Sequence, residues 1–129
     1  MPAAADMQVM VVDDQRSMRN LVRTSLNELG CGQVSECADG REALETLRQQ
    51  PVHLVISDMN MPVMDGLALL RAMRAEPNLH GVGFIMLTGR GEAELVREAI
   101  AAGVNNYLVK PFTMATLRRK IEAVFGPLT

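Results

Sequence analysis

At 129 residues the chain fits one domain with room for a real core, and a hydrophobic content of 48% excludes disorder. A formal net charge of −2 argues against a nucleic-acid partner. No apolar run approaches the roughly 20 residues that span a bilayer, and the start MPAAAD lacks the basic region of a secretory signal, so a cytoplasmic protein is expected, with no membrane partner.

The first strand is the short β-branched run MQVMVV, 7–12. After two aspartates, Met18, Leu21, Val22, Leu26 and Leu29 mark one face of a helix that Gly30 stops. A weak strand follows at 33–36. Asp39 with Glu42 three residues on forms a capping box, and Ala43, Leu44 and Leu47 carry the apolar face of the second helix as far as Pro51. HLVIS, 53–57, is the third strand, and a helix at 66–74 ends near Pro77. GFIML, 83–87, is the fourth strand. Residues 92–102 form a helix with Leu95, Val96, Ala99 and Ile100 inward and Gly103 at its end. YLVK, 107–110, is the fifth strand, and the last helix starts near Thr113 and buries Leu117, Ile121, Val124 and Phe125.

Strands alternating with helices predict an α/β fold: a doubly wound parallel sheet of five strands with five helices on its two faces. The first, third and fourth strands are nearly continuous apolar runs, as a sheet covered on both faces requires. Residues 1–129 are expected to form one domain, its core at about 7–126. Cys31 and Cys37 have no further thiol or nearby histidine to complete a zinc site and read as core residues. His53 and His80 stand alone. Of ten methionines, Met10, Met18, Met73 and Met86 fall on apolar positions, whereas Met59, Met61 and Met64 lie beside an acidic position and could line it.

The chemistry lies where apolar strands end. Asp13 and Asp14 follow the first strand, Asp58 the third, Thr88 the fourth, and Lys110, with Pro111, the fifth. In doubly wound sheets ligands collect outside these carboxyl ends. Each position has a bland reading: Asp13 or Asp14 as a helix cap, Asp58 as the start of a turn, Thr88 as a turn residue, Lys110 as a solvated lysine. Five such residues at four strand ends make a joint signal. Three converging carboxylates repel one another unless a cation joins them, and an all-oxygen donor set favours Mg²⁺, with Mn²⁺ as a substitute. With charge so neutralised, Asp58 could serve as a nucleophile toward a phosphoryl group, with Lys110 and Thr88 meeting its oxygens.

The stretches VVDDQRSMR (11–19), ISDMNMPVMDG (56–66), IMLTGRG (85–91) and YLVKPFT (107–113) resemble the response-regulator receiver domains, above all the CheY-like single-domain regulators of chemotaxis. The resemblance implies the flavodoxin-like strand order 2-1-3-4-5. It implies Asp58 as phosphoacceptor, a metal held by Asp13, Asp14, Asp58 and the backbone carbonyl of Asn60, and a phosphoryl group bound by Thr88 and Lys110. Tyr107 would be the aromatic switch, the Lys110–Pro111 bond would be cis, and Pro62 and Gly66 would shape the turn after the third strand, Gly66 in a conformation forbidden to other residues. Asp65 reads as the cap of the third helix. Met59, Gly89 and Arg90 occupy positions that would modulate kinetics: Met59 stands where a tryptophan is frequent, Gly89 leaves the acceptor open, and Arg90 stands where an acid is frequent.

The implied partners are a sensor histidine kinase as phosphodonor, the flagellar motor switch protein as target and a phosphatase, with the chain itself a monomer. The readout would lie on the fourth helix, fifth strand and fifth helix. Two alternatives remain: a phosphate sink or relay receiver without motor contact, and an aspartate-nucleophile phosphohydrolase. The hydrolase is disfavoured because Asn60 stands where such enzymes carry a second acid. Arg118 and Arg119 read as a solvated helix face, with contact to an anionic ligand as the minor reading.

Overall fold

The computed structural model describes residues 3–89 and 92–129. A 3-10 turn at Ala4–Asp6 precedes β1 (Gln8–Val12), α1 (Arg16–Glu28), β2 (Gln33–Cys37), α2 (Gly40–Gln49), β3 (Leu54–Asp58), α3 (Gly66–Ala75), β4 (Gly83–Thr88), α4 (Ala93–Ala101), β5 (Asn106–Val109) and α5 (Met114–Phe125). The strands form one parallel sheet in the order β2-β1-β3-β4-β5. The order reverses between β1 and β3, so the crevice at the carboxyl ends of these two strands is the switch point of the sheet.

Alternation along the strands divides the core into two layers. Val9, Val11, Leu54, Ile56, Ile85 and Leu87 face one side, where Val22 and Leu26 of α1 and Leu117 and Ile121 of α5 cover them. Met10, Val12, Val55, Phe84 and Met86 face the other, against Leu44 and Leu47 of α2, Leu69, Leu70 and Met73 of α3, and Ala99 of α4. Each fully buried side chain of this size contributes about 1.5–3 kcal/mol relative to exposure. Both cysteines are free and buried, and burial pushes the Cys37 thiol up to about 11, which leaves it inert.

Caps set the helix starts. Asp39 accepts the Glu42 N–H at 2.9 Å and Asp65 the Ala68 N–H at 2.8 Å, while Thr113 accepts that of Thr116 at 3.1 Å.

Several expectations need correction. Leu21 is 51% exposed and Ile100 58%, although both lie on the predicted apolar faces; each is at the margin of its stripe, beyond the neighbouring element's cover. Met18, Val124 and Phe125 are only partly buried. His53 precedes β3 and is exposed, its Nδ1 accepting the Gln8 N–H at 2.9 Å. Gly66 is not among the residues of positive φ; the left-handed residue of that loop is Val63, at φ 70°. Gly66 is required for a different reason: a Cβ there would lie 2.2 Å from the Asp58 carbonyl oxygen.

Candidate functional site

Because all five strands are parallel, the segments after β1, β3, β4 and β5 open on one edge of the sheet and bring Asp13, Asp14, Asp58, Thr88 and Lys110 together. Carboxylate oxygens of Asp13, Asp14 and Asp58 lie within 4.8 Å of one another. Asp58 is buried at the end of β3, Asp13 is 1% exposed, and Asp14 faces solvent. Lys110 Nζ donates to Asp58 Oδ1 at 2.9 Å.

Local structure holds each of these groups. The Asp13 N–H donates to the Cys37 carbonyl at 3.1 Å, and Arg19 donates to the Asp13 carbonyl at 2.7 Å. Asp13 Oδ1 accepts the Gln15 N–H at 2.9 Å, so neither aspartate of the pair is the α1 cap, which is Gln15. Ser57 donates its hydroxyl to the Asp58 carbonyl, and Gly66 N–H donates to the Met59 carbonyl at 3.0 Å, which folds the segment after β3 back against the strand end. Lys110 N–H donates to the Thr88 carbonyl at 2.7 Å, tying the ends of β4 and β5 together. The Lys110–Pro111 peptide bond is cis.

Among the described residues, Asp13 Oδ2 and Thr88 Oγ1 are buried here without a hydrogen-bond partner, as is Glu92 Oε2 nearby. Buried groups are rarely left so unless something else completes them. Burial, reinforced by Asp58 and Asp14 and opposed by the Gln15 N–H and Lys110, raises Asp13 from 3.8 to about 6. Three hard carboxylates, one with an orphaned buried oxygen, fit a small divalent cation of the Mg²⁺ type.

Tyr107 is half-buried and lines, with Thr88, Gly89, Glu92, Ala93, Val96, Arg97 and Val109, a hollow of about 450 Å³. Lys120 Nζ stands 4.9 Å from the centre of its ring. Met59 is 2% exposed and packs in the α2–α3 core layer, so it does not line the surface that a donor would meet. Gly89 is half-buried beside the site; Arg90 lies outside the described residues. Arg118 pairs with Glu122 at 3.5 Å and Arg119 donates to the Thr116 hydroxyl at 3.2 Å. One residue escaped sequence reasoning. Glu92 accepts a hydrogen bond from Asn60 Nδ2 at 3.2 Å, a contact across 32 residues that no periodicity signals.

Fold and sequence together define the class: the chain belongs to the response regulator receiver domain family, which it matches over residues 9–122. This is a family of signal receivers and not of enzymes. The chain is 44% identical over 128 residues to the Rhizobium etli protein named "Probable chemotaxis protein CheY", covering 99% of each. It is similar to the structure of the Vibrio cholerae chemotaxis response regulator CheY4, with a TM-score of 0.84, 35% identity, and 96% and 99% of the two chains covered. It is also similar to the receiver domain of the Pseudomonas aeruginosa sensor histidine kinase PA1611, whose structure has a magnesium ion in its active-site cleft; there the TM-score is 0.84 and the identity 30%, with 93% and 98% covered. No helix among the described residues is long and apolar enough to cross a membrane.

Proposed function

We propose that residues 1–129 form a stand-alone receiver that takes a phosphoryl group from a sensor histidine kinase onto Asp58 and signals by binding another protein in chemotaxis. The observation that carries this reading is the meeting of three carboxylates within 4.8 Å with Lys110 on the central acid. The Rhizobium relative and the Vibrio structure, both named for chemotaxis, favour that setting, with the flagellar motor switch protein as partner and the cytoplasm as compartment.

Asp13, Asp14 and Asp58, with the Asn60 carbonyl, are the groups to hold Mg²⁺ or Mn²⁺, which would supply charge to neutralise the acids and the phosphoryl oxygens. An Asp58 carboxylate oxygen forms a bond to phosphorus while the donor's P–N or P–O bond breaks, its electron pair leaving with the donor. Lys110 supplies a positive point charge to the transferring group, and the unpartnered Thr88 hydroxyl donates to one of its oxygens. Drawing Thr88 toward the phosphoryl group enlarges the hollow beside it, into which Tyr107 turns. That exchange alters the face built from α4, β5 and α5 that the partner reads. Reversal needs only water at phosphorus, giving back the Asp58 carboxylate and inorganic phosphate. A phosphatase would speed this step.

The test is labelling by radioactive acetyl phosphate of wild type and Asp58→Asn, with Mg²⁺ and with a chelator. Label is expected on wild type with Mg²⁺ alone. Label persisting on Asp58→Asn, or indifferent to chelation, would overturn the assignment. Mg²⁺-dependent capture by purified motor switch protein of the phosphorylated chain separates the motor role from a phosphate sink.

A further inference from the structure

Asp14 is the exposed member of the three acids, and no hydrogen bond among the described residues holds its carboxylate. Yet that carboxylate lies within 4.8 Å of the buried ones of Asp13 and Asp58. What fixes it is the backbone on either side. The Gln15 N–H, on the peptide that follows Asp14, donates to Asp13 Oδ1 at 2.9 Å. The Asp13 carbonyl, on the peptide that precedes Asp14, accepts from Arg19 Nη1 at 2.7 Å. A peptide unit is planar, so a bond to its carbonyl or its N–H restrains the whole plane. With both planes held, the direction in which the Asp14 side chain leaves the backbone is set.

Helix stability does not explain Arg19. It stands near the start of α1, where a cation opposes the helix dipole, and no acid in the first turn offsets it. Its side chain is largely buried, and its Nε donates to Glu36 Oε1 at 3.2 Å, while Glu36 Oε2 pairs with Arg23. Arg23 in turn donates to the Val34 carbonyl at 3.2 Å. The guanidinium fork of Arg19 thus braces the end of β1 against β2, with Glu36 balancing its charge. We propose that Arg19 is a positioning residue for the metal: by holding the Asp13–Asp14 peptide it presents the Asp14 carboxylate to a divalent cation shared with Asp13 and Asp58. The proposal rests on these three acids being the metal's ligands.

The experiment titrates Mg²⁺ calorimetrically into wild type, Arg19→Met, Arg19→Lys and Glu36→Gln, and takes the urea midpoint of each in chelator. Arg19→Met is expected to weaken Mg²⁺ binding about ten-fold, the lower end of what is lost with a partner that orients a metal ligand. Arg19→Lys keeps the charge without the planar fork that serves Glu36 and the Asp13 carbonyl together, and should recover part of the affinity. Glu36→Gln breaks the same ion pairs but leaves the Arg19–Asp13 bond, so it should lower the urea midpoint and keep an affinity close to that of wild type. Were Arg19 acting only through its charge, its removal would tighten Mg²⁺ binding, since one cation would no longer repel another. Were it serving only the fold, Arg19→Met would lower the urea midpoint and leave the affinity alone. Tighter or unchanged binding in Arg19→Met, or an equal loss in Glu36→Gln, overturns the proposal. An Asp14→Asn protein that binds Mg²⁺ like wild type would instead overturn the metal reading beneath it, so the two failures are told apart.

Discussion

Lys110 reaches Asp58 from the far side of β4: its Nζ lies 2.9 Å from Asp58 Oδ1 across 52 residues, with a whole strand between β3 and β5. The backbone makes that reach possible, because the Lys110 N–H is fastened to the Thr88 carbonyl at 2.7 Å. The ammonium and the hydroxyl proposed to share a phosphoryl group are therefore positioned by one hydrogen bond between neighbouring strand ends.

Lys110→Met should lower the rate of phosphorylation by acetyl phosphate about 100–1,000-fold, the range lost when one preorganised donor is removed from a developing anion. Lys110 is partly open to water but Asp58 is buried, so leaving that carboxylate without its partner should also cost stability, by about 1–3 kcal/mol. Lys110→Arg keeps the charge but replaces a compact ammonium by a planar fork, and should recover only part of the rate. Initial labelling rates and urea midpoints check both; a wild-type rate in Lys110→Met would remove the lysine from the mechanism.

Asp13 makes stability depend on pH in an unusual sense. Burial raises it to about 6 in the folded chain, against 3.8 as the ordinary value. Between these values the native state keeps a proton that the unfolded chain has lost, so stability without divalent cation is greatest below pH 4 as far as this group is concerned, and it declines as pH rises through 6. Asp13→Asn removes that decline. It should stabilise the metal-free protein by about 1–3 kcal/mol at pH 7.5 and by little at pH 4, while weakening Mg²⁺ binding. Denaturant melts at the two pH values in chelator decide it; an equal effect at both would show that ionisation is not the cause.

Gly66 gives a prediction of the opposite sign. In Gly66→Ala the new Cβ would sit 2.2 Å from the Asp58 carbonyl oxygen and 2.8 Å from Met86 Sδ. The sulfur can move, but the carbonyl belongs to the strand end that carries the proposed acceptor. A loss of about 1–3 kcal/mol or more is expected, together with slower labelling. Gly32→Ala and Gly81→Ala, where a Cβ meets nothing within 4 Å, serve as controls. Thermal unfolding compares the three.

How much of this was legible depends on the kind of signal. Asp13, Asp58, Thr88 and Lys110 showed in the sequence because polar residues interrupted or closed apolar runs, and Asp39 and Asp65 showed by their spacing to the helices they cap. The burial of Leu21 and Ile100 was misjudged because periodicity gives the direction of a stripe but not how far a neighbour covers it. Around α4 the cover is thin: Ala99 is its buried residue, and Leu108 is that of β5. The Asn60–Glu92 bond joins two loops, so it follows from the fold and from no local pattern. Gly66 was correctly singled out but for the wrong reason, since close approach to a carbonyl and freedom of φ leave the same letter in a sequence.

Val63 carries the strain expected of Gly66. It has φ 70° and is 76% exposed, a β-branched residue in the left-handed region with little burial to offset the conformation. Asparagine tolerates this region because its short polar side chain can bond locally to the backbone. Val63→Asn should therefore stabilise the protein by about 0.5–1.5 kcal/mol, whereas Val63→Ile, which keeps the branch, should bring no gain. The side chain is so exposed that lost apolar contact cannot cancel the relief. Urea unfolding of the two variants measures the difference, and a Val63→Asn protein no more stable than wild type would mean that the loop relaxes around valine without cost.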